Sequence, residues 1–312
     1  MTLSRSSLLG DLDVNVTLDA PIGAMTWYGI GGRADLLVSP RTEEAVIELV
    51  RRCHRDEVAV RVLGGGANLL VDDAGIDGVV IKLDHEHFRQ VQYSAHGEIT
   101  AALVGAGADL FRLVQDTKRR ALRGFEMMAG IPGTIGGGVR MNAGGAWGQV
   151  SDCLQTVRHL SLDGEVRELE AADLAFRYRG SNLPPGIVLS CTLELGEDDP
   201  IRVRDRVMKI FRHKQSTQPM ADHSAGCAFR NPIEPAGGRH LSAGALIDSA
   251  GLKGHRVGGA VVSEHHANFI VTEPGANATH VRQLVDEVRK NVREKCGVEL
   301  EPEIVMWARS GI

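Results

Sequence analysis

The chain has 312 residues, 43% of them hydrophobic and 24% charged, with a formal net charge of −5. Against a prior of ~150 residues per domain, that length suggests about two domains and room for a real core. Mild acidity with both signs interspersed argues against nucleic acid or an anionic membrane surface as the main partner.

In chain order, residues 42–55 read as an amphipathic helix with Ala45, Val46, Leu49, Val50 and Cys53 on one face. Strands are expected at 58–63 and 79–83, with a strand and Gly-rich turn over 99–107. Leu110, Phe111, Leu113 and Val114 suggest a second helix, and 157–169 a hairpin turning at Asp163-Gly164. A strand at 188–195 and a helix at 203–214 follow, after which Gly, Ala, Ser and His dominate, so a boundary is set near 214. The last helix carries Val281, Leu284, Val285, Val288, Val292 and Cys296 as one stripe and stops at Gly297.

Cys53, Cys153, Cys191, Cys227 and Cys296 are scattered and odd in number, with no C-x-x-C pair. Neither a disulfide framework nor a metal site is expected, and a reducing cytoplasm fits. The N-terminus shows no apolar signal region, and no apolar run approaches the ~20 residues of a membrane span. The 37 glycines are in excess and clustered, which points to loops where backbone and ligand approach closely.

Two such loops stand out. The run Leu63-Gly64-Gly65-Gly66-Ala67-Asn68-Leu69 directly follows a strand, where successive amides can form an anion nest. It lacks the Lys-Ser/Thr of a P-loop, and no G-x-G-x-x-G opens a helix. The longer run from Gly124 through Ala129-Gly130-Ile131-Pro132-Gly133-Thr134-Ile135-Gly136-Gly137 to Asn142 has little side chain for packing, and a flat ligand with phosphates would supply the missing contacts. Tyr178-Arg179 offers an Arg for a carboxylate or phosphate. Cys227, in Ala225-Gly-Cys-Ala-Phe-Arg230-Asn231-Pro232, is a thiol among small residues, with an ordinary pKa of about 8.5 and hence protonated near neutrality. Glu299, Glu301 and Glu303 alternate and would share one face of an extended strand, and spacing does not choose among them. His265 and His266 have no further ligand at metal spacing.

Together and in this order, these segments resemble the UDP-N-acetylenolpyruvoylglucosamine reductase (MurB) family, in its shorter type without an extra tyrosine loop. The likeness runs from Thr26 to Ile304 and includes Gly29-Ile-Gly-Gly32, both glycine loops, AGCAFRNP, AGLKG, SEHHANFIV and LEPEI. The resemblance implies an α+β fold: a two-lobed FAD-binding domain of the PCMH/VAO-like kind over residues 1–213, with lobes of about 1–90 and 91–213, then a substrate-binding domain over 214–312. It implies non-covalent FAD, NADPH as reductant, and reduction of UDP-N-acetylglucosamine enolpyruvate to UDP-N-acetylmuramate for peptidoglycan synthesis by a cytoplasmic monomer. FAD would lie on Gly64 to Leu69, on Ala129, Gly130, Pro132, Gly133, Thr134, Gly136 and Gly137, and on Asn142. Arg179 and Glu303 match the family's catalytic Arg and Glu, and Cys227 stands where better-known members have a Ser general acid. Tyr178, Lys214, Arg230, Asn231 and His266 match substrate-contacting positions; Val261 replaces a common Gln. The competing reading is another FAD-dependent oxidoreductase of the same fold, acting on a sugar or lactone.

Overall fold

The computed structural model of the chain describes residues 8–233, 238 and 241–309. It divides into two compact units. The first contains Asp35–Gly65 and Gly78–His213 with the N-terminal residues up to Asp19, and the second contains Ala20–Ala34, Gly66–Asp77 and the chain from Lys214 onward.

The first unit holds a six-stranded sheet. Val166–Glu170, Leu154–Ser161, Gly186–Glu197, Ile99–Gly105 and Val91–His96 lie in that order, and Leu122–Arg123 joins the Gly186–Glu197 strand. Every pair is antiparallel, an arrangement that permits one face to meet water. Ile99–Gly105 shows the period of two, with Thr100, Ala102 and Val104 buried while Ile99 and Leu103 are exposed. The expected hairpin closes with the Gly164 amide donating to the Ser161 carbonyl at 3.1 Å. A second sheet has the order Val14–Ala20, Ala34–Pro40, Ile76–Ile81, Val60–Val62, its last pair parallel.

Four α-helices begin between Glu43 and Pro200. α1 (Glu43–Arg55) is capped by Thr42, whose hydroxyl accepts from the Ala45 amide, and buries all five residues of the expected stripe. α2 (Leu110–Arg119) is capped by Asp109, and α3 (Ile135–Met141) by Thr134. α4 (Pro200–Thr217) lies in the first unit as far as His213.

The second unit has an antiparallel sheet in the order Ser224–Cys227, Phe269–Thr272, Ala260–Val262, Arg256–Val257, and a parallel pair of Leu69–Val71 with Val305–Trp307. α6 (Ala278–Cys296) packs on the Ala260–Val262 and Arg256–Val257 strands, and α5 (Ala243–Ser249) packs against α6. Val281, Leu284, Val285, Val288 and Val292 are buried as the stripe predicts, each worth roughly 1.5–3 kcal/mol on full burial. α6 starts earlier than the stripe, because Asn277 caps it and the Asp73 carboxylate accepts from the Ala278 and Thr279 amides. Gly297 ends it at φ 69°. The core of this unit includes Tyr28 and Leu70.

The three alternating acids are not in a strand, which begins only at Val305. Glu299 and Glu301 are exposed and pair with Arg289 and Arg230, whereas Glu303 is half-buried. No helix among the described residues is long and apolar enough to cross a membrane.

Candidate active site

In the first unit, the two glycine loops meet backbone to backbone. A Cβ added at Gly65 would stand 2.6 Å from the Gly133 Cα, and one at Gly64 would stand 2.8 Å from the Thr134 hydroxyl oxygen. No side chain fits in that approach. Gly130 and Gly133 adopt φ of 73° and 115°. Among the described residues, the amides of Gly64, Gly65, Gly130 and Gly133 donate to no protein acceptor. Unclaimed amide donors on two loops in backbone contact are the chemistry of an anion nest, which fits the pyrophosphate of FAD. Gly136 serves packing, since its amide donates to the Ala106 carbonyl and its Cβ would stand 2.8 Å from that of Ala106. The Gly137 amide donates to the Thr134 hydroxyl.

The turn before this cradle is tied down by Glu126, which is only 8% exposed. Its carboxylate accepts from the Gly124 amide at 2.6 Å and from Arg206 Nε of α4 at 2.8 Å. Pairing on both oxygens explains how a charge is tolerated there. Of the other expected cofactor residues, Ala129 and Pro132 lie along the second loop, while Gly66, Ala67, Asn68 and Leu69 belong to the second unit. Asn142 is fully buried; its amide donates to the Arg177 carbonyl at 3.0 Å and accepts from the Ser151 amide at 3.2 Å.

Arg179 sits at φ 54°, in the left-handed region. For a residue with a side chain this costs of order 1–3 kcal/mol and persists only where surroundings impose it. Here they do. Asn142 holds Arg177 from one side, and the mutual bonds of Arg177 and Gly180 close the turn. Arg140, in the last turn of α3 just before its C-cap Asn142, donates to the carbonyls of Leu183, Pro184 and Gly186. The Arg179 guanidinium donates to the Gly144 carbonyl at 3.0 Å and lies 5.1 Å from the Tyr178 ring centre.

In the second unit, Cys227 is half-buried at the end of Ser224–Cys227, opposite Phe269 and after a register shift. Gly226 takes φ 74° in that irregularity. The Glu303 amide donates to the Ala228 carbonyl at 2.8 Å, so the two backbones run one residue from Cys227. Asn68 donates to the Glu303 carbonyl at 3.1 Å, and the Glu303 Oε2 is buried. Arg230 reaches Glu301 through Nη1 at 3.4 Å, while its Nε is buried with no acceptor among the described residues. Asn231 accepts from the Ala243 amide of α5. His266 Nδ1 accepts from the Asn268 amide at 3.2 Å, which leaves the ring proton on Nε2. Burial lowers the His266 pKa and keeps the ring neutral. Lys214 is 7% exposed.

The sequence alone assigns no role to two residues of this geometry, although Asn268 lies within SEHHANFIV. Asn268, 3% exposed, clasps Phe229 through both ends of its amide and so fixes the Cys227–Asn231 segment. Tyr28 is buried beside Ala225, and burial pushes its hydroxyl well above the usual range. Among the described residues no group of three His, Cys, Asp or Glu could hold a metal ion.

Comparison with known proteins bears directly on this arrangement. Residues 218–307 match the model of the UDP-N-acetylenolpyruvoylglucosamine reductase C-terminal domain, and 34–170 match that of an FAD binding domain. UDP-N-acetylenolpyruvoylglucosamine reductase of Desulfosudis oleivorans is 40% identical over 299 residues, covering 93% of this chain and 94% of that protein. The chain belongs to the UDP-N-acetylenolpyruvoylglucosamine reductase family. The Bacillus subtilis member is 37% identical over 296 residues, covering 93% of each chain. The crystal structure of the MurB reductase from Thermus caldophilus aligns with a TM-score of 0.77 at 37% identity, over 95% of this chain and 99% of that one. The α+β architecture expected from the sequence is therefore that of the MurB family.

Proposed function

We propose that the chain reduces UDP-N-acetylglucosamine enolpyruvate to UDP-N-acetylmuramate at the expense of NADPH, with non-covalent FAD, as a cytoplasmic monomer. The observation that carries this reading is the full-length likeness to the reductase family together with the Gly64–Gly65 and Gly130–Gly133 cradle. The part before Lys214 holds the cofactor and contributes Tyr178 and Arg179 to the substrate, and the part from Lys214 onward binds the UDP-sugar. FAD, when bound, supplies the hydride taken from NADPH for the methylene carbon of the enol ether.

The chain's own groups do the rest. The cradle amides hold the pyrophosphate. Arg179 holds the substrate carboxylate as negative charge grows next to it, an electrostatic role that needs a fixed guanidinium. Glu303 in its protonated form donates a hydrogen bond to the same carboxylate. Cys227 gives its thiol proton to the carbon that bears the carboxylate and regains one from water, so that one hydride and one proton add across the double bond. A thiol is several pKa units more acidic than an aliphatic hydroxyl, and so can replace Ser in this task. Tyr178, Lys214, Arg230, Asn231 and His266 contact the UDP-sugar.

The test is the product itself. The FAD-loaded protein with NADPH and UDP-N-acetylglucosamine enolpyruvate should give a species two hydrogens heavier by mass spectrometry. Unchanged substrate beside a reducible flavin would sink the reading and turn attention to sugar or lactone oxidation.

A further inference from the structure

Trp147 stands at the tip of a tight hairpin, Gly144–Gly145 paired with Gly148–Gln149. The hairpin is narrow, since a Cβ at Gly144 would lie 2.4 Å from the Gln149 Cα and from the Gly148 carbonyl oxygen. Its tip leans on α4. The Trp147 ring meets the His213 ring edge-on at 5.5 Å and 89°, and the Lys209 ammonium lies 5.6 Å from its centre. Lys209 and His213 are four apart on the helix and present one face. At the other end of the same hairpin, the Gly144 carbonyl accepts from the Arg179 guanidinium at 3.0 Å.

We propose that Trp147 is a positioning residue for Arg179: it clamps the hairpin onto α4, so that the Gly144 carbonyl fixes the guanidinium that receives the substrate carboxylate. The proposal rests on the reductase reading of the site. Arg179 occupies a left-handed backbone conformation, so its aim depends on neighbours rather than on its own local preference. A hairpin of glycines has little stiffness of its own, and the large anchored side chain at the tip supplies it.

The experiment is a double-mutant cycle on single-turnover reoxidation of the reduced flavin by UDP-N-acetylglucosamine enolpyruvate, without oxygen. Trp147→Ala should slow this step about tenfold, and in an Arg179→Lys background it should cost less than about twofold more, because the two act as one unit. Trp147→Phe, which keeps the edge-on contact, should recover to within about threefold of wild type. Calorimetry should show the same pattern in the substrate's dissociation constant, with no further weakening in the double variant. Multiplicative losses, or a Trp147→Ala enzyme as fast as wild type, would overturn the proposal. If Trp147→Ala fails to fold, the joint Lys209→Ala, His213→Ala variant removes the other side of the clamp. It should show the same loss, and a wild-type rate would count against the proposal. A wild type that does not react with the enolpyruvate at all fails the functional reading instead, and is told apart from a failure of the clamp by that control.

Discussion

Cys227 concentrates the chemistry that one residue can decide. If its thiol is the proton donor, Cys227→Ala should slow reoxidation of the reduced flavin by ~10²-fold or more, the usual scale of general acid catalysis. Reduction of the flavin by NADPH should be unaffected, and Cys227→Ser should keep most of the substrate step. Stopped-flow traces of the two half-reactions separate these outcomes; an Ala variant with both rates intact contradicts the assignment. His159 offers a second test at this scale. It is 2% exposed, and burial, helped by the charge of Arg140, lowers its pKa. The unfolded chain therefore takes up a proton there as pH falls through about 6.5, while the folded chain resists it, so stability is lost on acidification below that point. Urea unfolding at pH 7.5 and 5.5 should show that loss, and His159→Gln should reduce it; an equal loss in the variant would exclude His159 as the source.

At the scale of elements, the cradle is the part most dependent on missing side chains. Gly65→Ala would push a methyl into the Gly133 backbone, and the loops cannot both stay where they are. Expected are a fold close to wild type by far-UV circular dichroism and FAD affinity reduced at least tenfold, read by flavin fluorescence on titration. Undiminished affinity would mean that these amides do not carry the pyrophosphate. The glycine loops were legible in the sequence because clustered glycine has few structural uses, and the helix stripes because their period is local. What surrounds Arg179 was not. Its left-handed backbone, the Asn142 and Arg140 bonds that impose it, and the Trp147 clamp join residues up to dozens of positions apart, and a lone Trp among glycines has no pattern. The choice among Glu299, Glu301 and Glu303 was equally hidden from spacing. Exposure separates the first two, which pair with Arg289 and Arg230, from the third.

At the scale of the molecule, the division of the chain is less linear than a boundary near residue 214 suggests. Ala20–Ala34 and Gly66–Asp77 fold with the C-terminal part, bringing Tyr28 and Leu70 into its core and Leu69–Val71 beside Val305–Trp307. A fragment of residues 214–312 alone should therefore lack a cooperative thermal transition, since it loses core side chains and leaves a strand edge bare. A sharp transition by calorimetry would show that these excursions are dispensable. Such pairings between distant stretches leave no periodic trace, which is why composition marked the change at 214 and missed the two excursions. The measurement that bears most directly on the whole account is NADPH oxidation by the purified FAD-bound protein, followed with and without UDP-N-acetylglucosamine enolpyruvate. Consumption should depend on the enolpyruvate and match it mole for mole. Consumption indifferent to that substrate, or none with the flavin present and Cys227 reduced, would contradict the proposed function.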